Sequence, residues 1–337
     1  MAGHVCGTKP LSSDHSPEAF ELIRSWIDDC LLHHDACKTT VSGDVIDENI
    51  MSRLPKRVLN IGDAPYSPFV NLIETHGRSG RYVSLSHCWG SITKQPLKTT
   101  KDSIKDHLNG IAFKMLPKTF QDAVTVTRAI GIRCLWIDSL CILQDDKKDW
   151  LQESAQMGSI YERAYLTIAA SDAIDSTEGC FISRRPDLPT VEIPYYSDVE
   201  DTEGSIYISA LPREPTPAWG PLRQRAWALQ EWYLSRRMVH FTKGGLSWKC
   251  KEDEVNERHG EIDMQAYQKW DSVLERYSRS LLTYETDRLI ALQGIANEMQ
   301  KSRSDRYCLG IWTADLPGQL LWMCKASTPE KIGRAHD

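Results

Sequence analysis

The sequence predicts an α/β fold: a parallel sheet flanked by helices. Between residues 82 and 171, strand-length apolar runs alternate with stretches of helical period in the order β-α-β-α-β. Apart from residues 91–115 the connections between them are short, as in a parallel sheet covered by helices. The middle strand opens as a buried one, Leu135-Trp136-Ile137, and gives way at once to Asp138 and Ser139.

In chain order, residues 17–37 have helical period, with Phe20, Ile23, Trp26, Ile27, Cys30 and Leu31 on one stripe. Residues 38–81 are polar and broken by Pro and Gly, apart from a short strand at 57–62. YVSLSHCWG (82–90) alternates and ends in Gly, as a strand meeting a tight turn does. Residues 91–115 read as a polar connection. LPKTFQDAVTVTRAIG (116–131) is a helix, with Pro117 in its first turn and Gly131 at its end. RCLWID (133–138) is a strand, 148–164 one helix, and YLTIAAS (165–171) a third strand. VEIPYY and SIYISA are short β-like runs, and a helix is expected near 222–234. RRMVHFT and LSWKC form a hairpin turning at Gly244 and Gly245, and the pattern from about 262 to 300 is helical.

Composition narrows the function classes. The chain has 337 residues, of which 41% are apolar, so a sizeable core is expected. Net charge is −6 with the basic residues scattered, which is no nucleic-acid footprint. No apolar run approaches the ~18 residues of a membrane span. The first twenty residues lack a signal-peptide pattern. Ten cysteines in such a chain read as reduced thiols in a cytoplasmic protein. The tail EKIGRAHD reads, from Ile332 to His336 at least, as translated sequencing adapter, with an ordinary polar tail as the alternative.

Ligands of open parallel sheets bind beyond the carboxyl ends of the strands. Here those ends carry Ser86, His87, Cys88, Trp89 and Gly90, then Asp138, Ser139 and Cys141, then Ser171 and Asp172. Asp138 and Ser139 would meet a ligand there, or else cap a turn and bond backbone amides. The acidic pair Asp145 and Asp146 follows, with Trp150 opening the next helix. Glu153 lies in the first turns of that helix. It could stabilise a cationic transition state near an aromatic ring, or be a solvated residue favoured by the helix dipole. LRQRAWALQEW holds Arg223, Arg225, Trp227, Gln230 and Glu231. Arg225 could fork onto a phosphate or carboxylate, or pair with Glu231 or an acid of 145–153. Cys88 and Cys141 could be nucleophiles with His87, but nothing in the sequence orients that histidine.

Cys30, His34 and Cys37 are spaced i, i+4, i+7, and could be three zinc ligands or small thiols facing a core. A fourth ligand would come from elsewhere, such as Cys6 or His87. Phosphate-loop, dinucleotide-fingerprint, nucleophile-elbow and zincin motifs are all missing.

YVSLSHCWG, the stretch from Leu116 to Ser171, and PLRQRAWALQEWYLSRRMVHFT resemble, in order, the three sequence blocks of the fungal heterokaryon incompatibility (HET) domain. The helix with W-x3-C-x3-H-x2-C before them, and the stretches WDSVLERYSRSLLTYETDRLIALQGIA and GIWTADLPGQLLW after them, resemble the longer proteins of that family. The first block of the family more often has Tyr where His87 stands, which argues against a required histidine there. The resemblance implies an N-terminal helical and irregular extension (1–81), a HET domain (82–242), a mainly helical C-terminal region (243–331) that family members continue beyond Trp322, and a non-native tail (332–337).

The resemblance further implies self/non-self recognition ending in cell death. It also implies remote kinship to TIR domains, and with it a flavodoxin/TIR-like parallel sheet with helical extensions. Some TIR domains cleave NAD+ with a helix glutamate, for which Glu153 is the positional match here. In that reading NAD+ is the substrate, no cofactor or metal is required, Trp89 or Trp150 stacks on a base, and Arg225 holds the diphosphate. Self-association and incompatibility partners are implied. A signalling module without chemistry, and a scaffold turned to secondary metabolism, are the alternatives.

Overall fold

The structure, a computed structural model, describes residues 11, 13–46, 52–62, 67–183, 191–197, 202–208, 220–257, 260–261, 270–278, 280–282, 287–308 and 310–315. Cys6, Trp322 and the 332–337 tail lie outside them.

Helix α1 (Pro17–His33) begins at Ser16, whose hydroxyl accepts from the Ala19 N–H, with proline in the first turn. Its apolar stripe, Ala19, Ile23, Ile27 and Cys30, is buried. Strands β1 (Arg57–Asn60) and β2 (Phe69–Glu74) pair antiparallel. The second of these was hidden in the sequence by the Pro and Gly residues around it, although Val70 and Leu72 alternate inward. Strand β3 (Val83–Ser86) follows. The stretch read as a polar connection in fact folds into α2 (Ile104–Asn109) and the short β4 (Ile111–Ala112). Helix α3 (Lys118–Ala129), strand β5 (Cys134–Trp136) and a single turn, α4 (Asp138–Cys141), come next.

The helix expected over 148–164 is two: α5 (Lys147–Ser154) and α6 (Met157–Arg163). Between them the Gln156 N–H donates to the Glu153 carbonyl at 3.0 Å, an i→i−3 bond that tightens the turn and redirects the chain. Strand β6 (Leu166–Ala170) is followed by a separate hairpin, β7 (Val191–Ser197) and β8 (Thr202–Ile208). Then come α7 (Ala226–Leu234), β9 (Arg237–Thr242), β10 (Gly245–Cys250), β11 (Glu254–Asn256) and β12 (Gly260–Glu261). Last are α8 (Trp270–Ser278), α9 (Ile290–Ser302), β13 (Tyr307–Cys308) and β14 (Ile311–Trp312).

One mixed sheet runs β12-β11-β10-β9-β6-β3-β5-β1-β2-β4. Its four central strands, β5-β3-β6-β9, are parallel, as the βαβ succession predicts. Both sides of that centre are antiparallel. The flanking segments are therefore not only helical, since they extend the same sheet at both edges. Within the parallel set the chain starts in the middle. The path leaves β3 toward β5, and later leaves β6 toward β9 in the opposite direction. Such a reversal opens a crevice at the carboxyl ends of the two strands that flank it, here β3 and β6.

Helices α6, α7 and α9 meet around the buried Gln230. A Cβ at Gly294 would lie 1.4 Å from the Gln230 amide nitrogen, and one at Gly158 would lie 3.0 Å from it. Glycine at both positions lets the helices close on that side chain where it stands, and a Cβ at Gly294 would force Gln230 to move. Among the described residues, no helix is long and apolar enough to cross a membrane.

Candidate functional site

Ser86 ends β3 opposite Ala169 of β6, at the reversal of the sheet. Its hydroxyl donates a hydrogen bond to the Glu231 carboxylate on α7. Glu231 is 1% exposed. Burial pushes its carboxyl up to about 7, against the pull of the nearby Arg225 guanidinium and the Ser86 bond. Asp138, close by, disfavours a second negative charge there. The Tyr161 hydroxyl lies beside Glu231 and donates to the Leu85 carbonyl at 3.0 Å.

Asp138 sits on the single turn after β5. One of its oxygens accepts from the Ser139 N–H at 2.7 Å, and the other from the Trp89 indole N–H at 2.8 Å. The turn-capping and site readings of Asp138 thus describe the same carboxylate. His87 is buried edge-on against Phe120, with Nδ1 3.9 Å from Asp138. Burial lowers its pKa to about 4, so the ring is neutral at pH 7. His87 Nε2 and Ser139 Oγ are buried with no hydrogen-bond partner. Arg225, just before α7, donates to the His87 carbonyl. Lys98 lies 5.0 Å from the Trp89 ring centre.

A cleft of about 500 Å³ opens onto this cluster, lined by Cys88, Trp89, Gly90, Asp175, Gln224 and Arg225 among others. Gly90, at φ +80°, makes its tight turn possible, because a Cβ there would meet Asp175 Cβ at 2.7 Å and the Lys94 carbonyl at 2.8 Å. Burial pushes the Cys88 thiol up to about 11 and Cys141 up to about 12, so neither is a ready thiolate.

The structure thus gathers Ser86, His87, Trp89, Gly90, Asp138, Ser139 and Arg225 into one strand-end neighbourhood. Cys141 ends the same turn as Asp138, with its sulfur facing the Ile137 N–H, and the other predicted residues lie apart. Asp145 is exposed and accepts from the Lys101 N–H. Trp150 packs against the main core. The Trp227 indole donates to Asp287 at 3.2 Å, toward the C-terminal helices. Ser171 bonds His240, and Asp172 accepts from the Lys243 N–H. Cys141 holds Arg57 through its carbonyl at 2.7 Å.

Glu153 falls at the end of α5 rather than in its first turns, and lines a different cleft. That cleft, of about 660 Å³, also holds Arg53, Lys56, His76, Tyr82 and Arg163. Burial raises the Glu153 pKa, and Arg57 and Lys56 pull it back. Cys30, His34 and Cys37 lie near Cys250, which pairs with Arg237 at the start of β9 and so sits at the amino ends of the parallel strands. His87 is no neighbour of theirs, and Cys250 stands where a fourth ligand would.

Sequence reasoning weighed Glu231 only as a partner for Arg225. Its signal was present: α7, AWALQEWYL, is apolar except for Gln230 and Glu231, and a carboxylate inside a buried helix needs a reason.

No curated protein and no solved structure matches the chain. Residues 82–231 match the family model described as Heterokaryon incompatibility protein (HET), from the residue before β3 to Glu231 itself. The sequence blocks, the sheet they build and this match agree: residues 82–231 are a heterokaryon incompatibility (HET) domain.

Proposed function

We propose that this HET domain executes incompatibility-type cell death by hydrolysing NAD+ at the strand-end cleft, with Glu231 as the working carboxylate. One observation carries the reading: a fully buried glutamate, held near 7, at the point where the sheet reverses. Carboxylates poised near ambient pH at a strand-end crevice are the residues from which acid–base chemistry is built.

In this reaction the bond between ribose C1′ and the nicotinamide nitrogen breaks, and its electron pair leaves with neutral nicotinamide. The ionised Glu231 stabilises the oxocarbenium-like ribose, as carboxylates do at glycosidic centres. Water adds to C1′ and passes one proton to the Glu231 carboxylate, which returns it to solvent, giving ADP-ribose. Arg225 is suited to the diphosphate and the Trp89 ring to a base. No residue here has to change oxidation state.

Glu231 is 1% exposed and Arg225 is engaged by the His87 carbonyl, so the single chain is shut. Substrate entry requires the 87–90 turn to release Arg225, and self-association in the cytoplasm supplies that release in this reading. The test is nicotinamide release from NAD+ at high protein concentration by wild type, Glu231→Gln and Glu153→Gln. Glu231→Gln should lose ~100-fold or more, and Glu153→Gln less than about threefold. If folded, self-associated wild type releases none, the enzymatic reading fails and a signalling module without chemistry takes its place.

A further inference from the structure

We infer that Cys30, His34, Cys37 and Cys250 form a structural zinc site that ties the N-terminal segment to strand β10. The four ligand atoms, three sulfurs and one ring nitrogen, all lie within 4.8 Å of one another. A tetrahedral zinc with Zn–S of about 2.3 Å and Zn–N of about 2.0 Å would set them roughly 3.5–3.8 Å apart. Small side-chain adjustments therefore close the shell. The Cys250 sulfur is already 3.2 Å from His34 Nδ1.

Local structure explains how the ligands converge. Cys30 is on the buried stripe of α1. The helix stops at His33, and His34 takes an extended backbone that turns the chain. A 3-10 turn over Ala36–Lys38 then returns Cys37 to the interior. From the other side, β10 delivers Cys250 at its last position.

The seat around the sulfurs is built for thiolates rather than for inert thiols. The Lys251 N–H points at Cys37 Sγ (3.4 Å) and the Asp253 N–H at Cys250 Sγ (3.2 Å). Backbone N–H groups aimed at sulfur offset the charge of metal-bound cysteine. Arg236 and Lys251 clamp the Cys37 and Thr39 carbonyls at 2.9 and 2.5 Å, and Glu252 accepts from the Ala36 N–H at 2.5 Å. Thiols that merely fill a core need none of this. Cys30, Cys37 and Cys250 are in no disulfide.

Three thiolates and an imidazole in closed, four-coordinate array select zinc and leave no position for substrate. The ion is structural, and both of its anchors lie outside the span matched by the HET family model.

The test is the metal content of the full chain, purified without chelator from zinc-supplemented medium. About one zinc per chain is expected, with a sulfur-rich, one-nitrogen shell in X-ray absorption. Cys250→Ser and His34→Ala should each lose zinc to a chelator concentration that leaves wild type and the control Cys134→Ser loaded. The absorption measurement on wild type decides the matter even where a variant does not fold. Folded wild type with less than about a tenth of an equivalent of zinc would overturn the site. So would iron in its place, a disulfide among Cys30, Cys37 and Cys250, or full zinc retention by folded Cys250→Ser.

Discussion

Glu153 and Glu231 are both buried glutamates on helices that lie, in chain order, between strands of the parallel set, yet the protein treats them differently. Glu153 borders an open cleft among cations, with Arg57 and Lys56 opposing the effect of its burial. Glu231 is sealed beside the centre of the sheet with one guanidinium, two hydroxyls and a second acid near it, and is held near 7. The difference teaches that following a strand in sequence does not make a site. The lateral order of the strands does, because the crevice opens only where the path reverses, between β3 and β6.

The sharpest way to break the comparison is through Arg57, which serves the Glu153 side. Arg57 is buried, donates to the Cys141 carbonyl at 2.7 Å and pairs with Asp149. Arg57→Ala leaves Asp149 buried, with Lys56 at 2.6 Å as its remaining cation. Denaturant unfolding should report a loss of about 3 kcal/mol or more. A loss under about 1 kcal/mol would mean that the Glu153 side is as adaptable as a surface.

The Glu231 side should reveal itself through pH. A carboxyl raised from its ordinary value of 4.5 to about 7 binds more protons folded than unfolded between those values. Its contribution is therefore fully present below about 4.5 and is lost as pH rises through about 7. The span is on the order of 3 kcal/mol. His87 and His240, lowered to about 4 and about 3, act with the opposite sign below 6.5. The readout is thus the difference between wild type and Glu231→Gln, which should widen in favour of the variant from pH 5 to pH 8. A flat difference would place Glu231 with ordinary carboxylates.

Gly294→Ala probes the seat of α7. Overpacking against Gln230 costs roughly 1–3 kcal/mol, while alanine returns about 1 kcal/mol of helix propensity. A net loss of about 1 kcal/mol is expected in thermal unfolding, and a gain would show that Gln230 moves freely. The smallest effect belongs to Glu153→Gln. Because burial outweighs its cations, neutralising it should stabilise the fold at pH 7 by less than about 1 kcal/mol.

Much of the central fold was legible in sequence because its signals are local. Ser16-Pro17 starts α1, Gly131 follows α3, and the β9–β10 hairpin turns at Lys243-Gly244, one residue before the expected Gly244-Gly245. Strand β2 and the break at Gln156 were not legible, since one depends on pairing with β1 and the other on a single tightened turn. Of the strand-end cluster, Asp138, Trp89 and Arg225 could be singled out because polar groups at strand ends stand out. That Glu231 meets Ser86 could not, since 145 positions separate them and only the sheet order joins them. The same holds for Cys250, which reads as one more strand thiol until α1 is laid against it.

That last contact bears on how the protein is made. Helix α1 is synthesised early, yet its Trp26 packs near Trp248 at 6.1 Å and its neighbour His34 meets a residue 216 positions later. At about 5–20 residues per second, the ribosome takes roughly 10–40 s to deliver that partner. Throughout that interval Ile23, Ile27 and Cys30 have no strand β10 to cover them, so the nascent chain carries an apolar stripe whose cover has yet to be made.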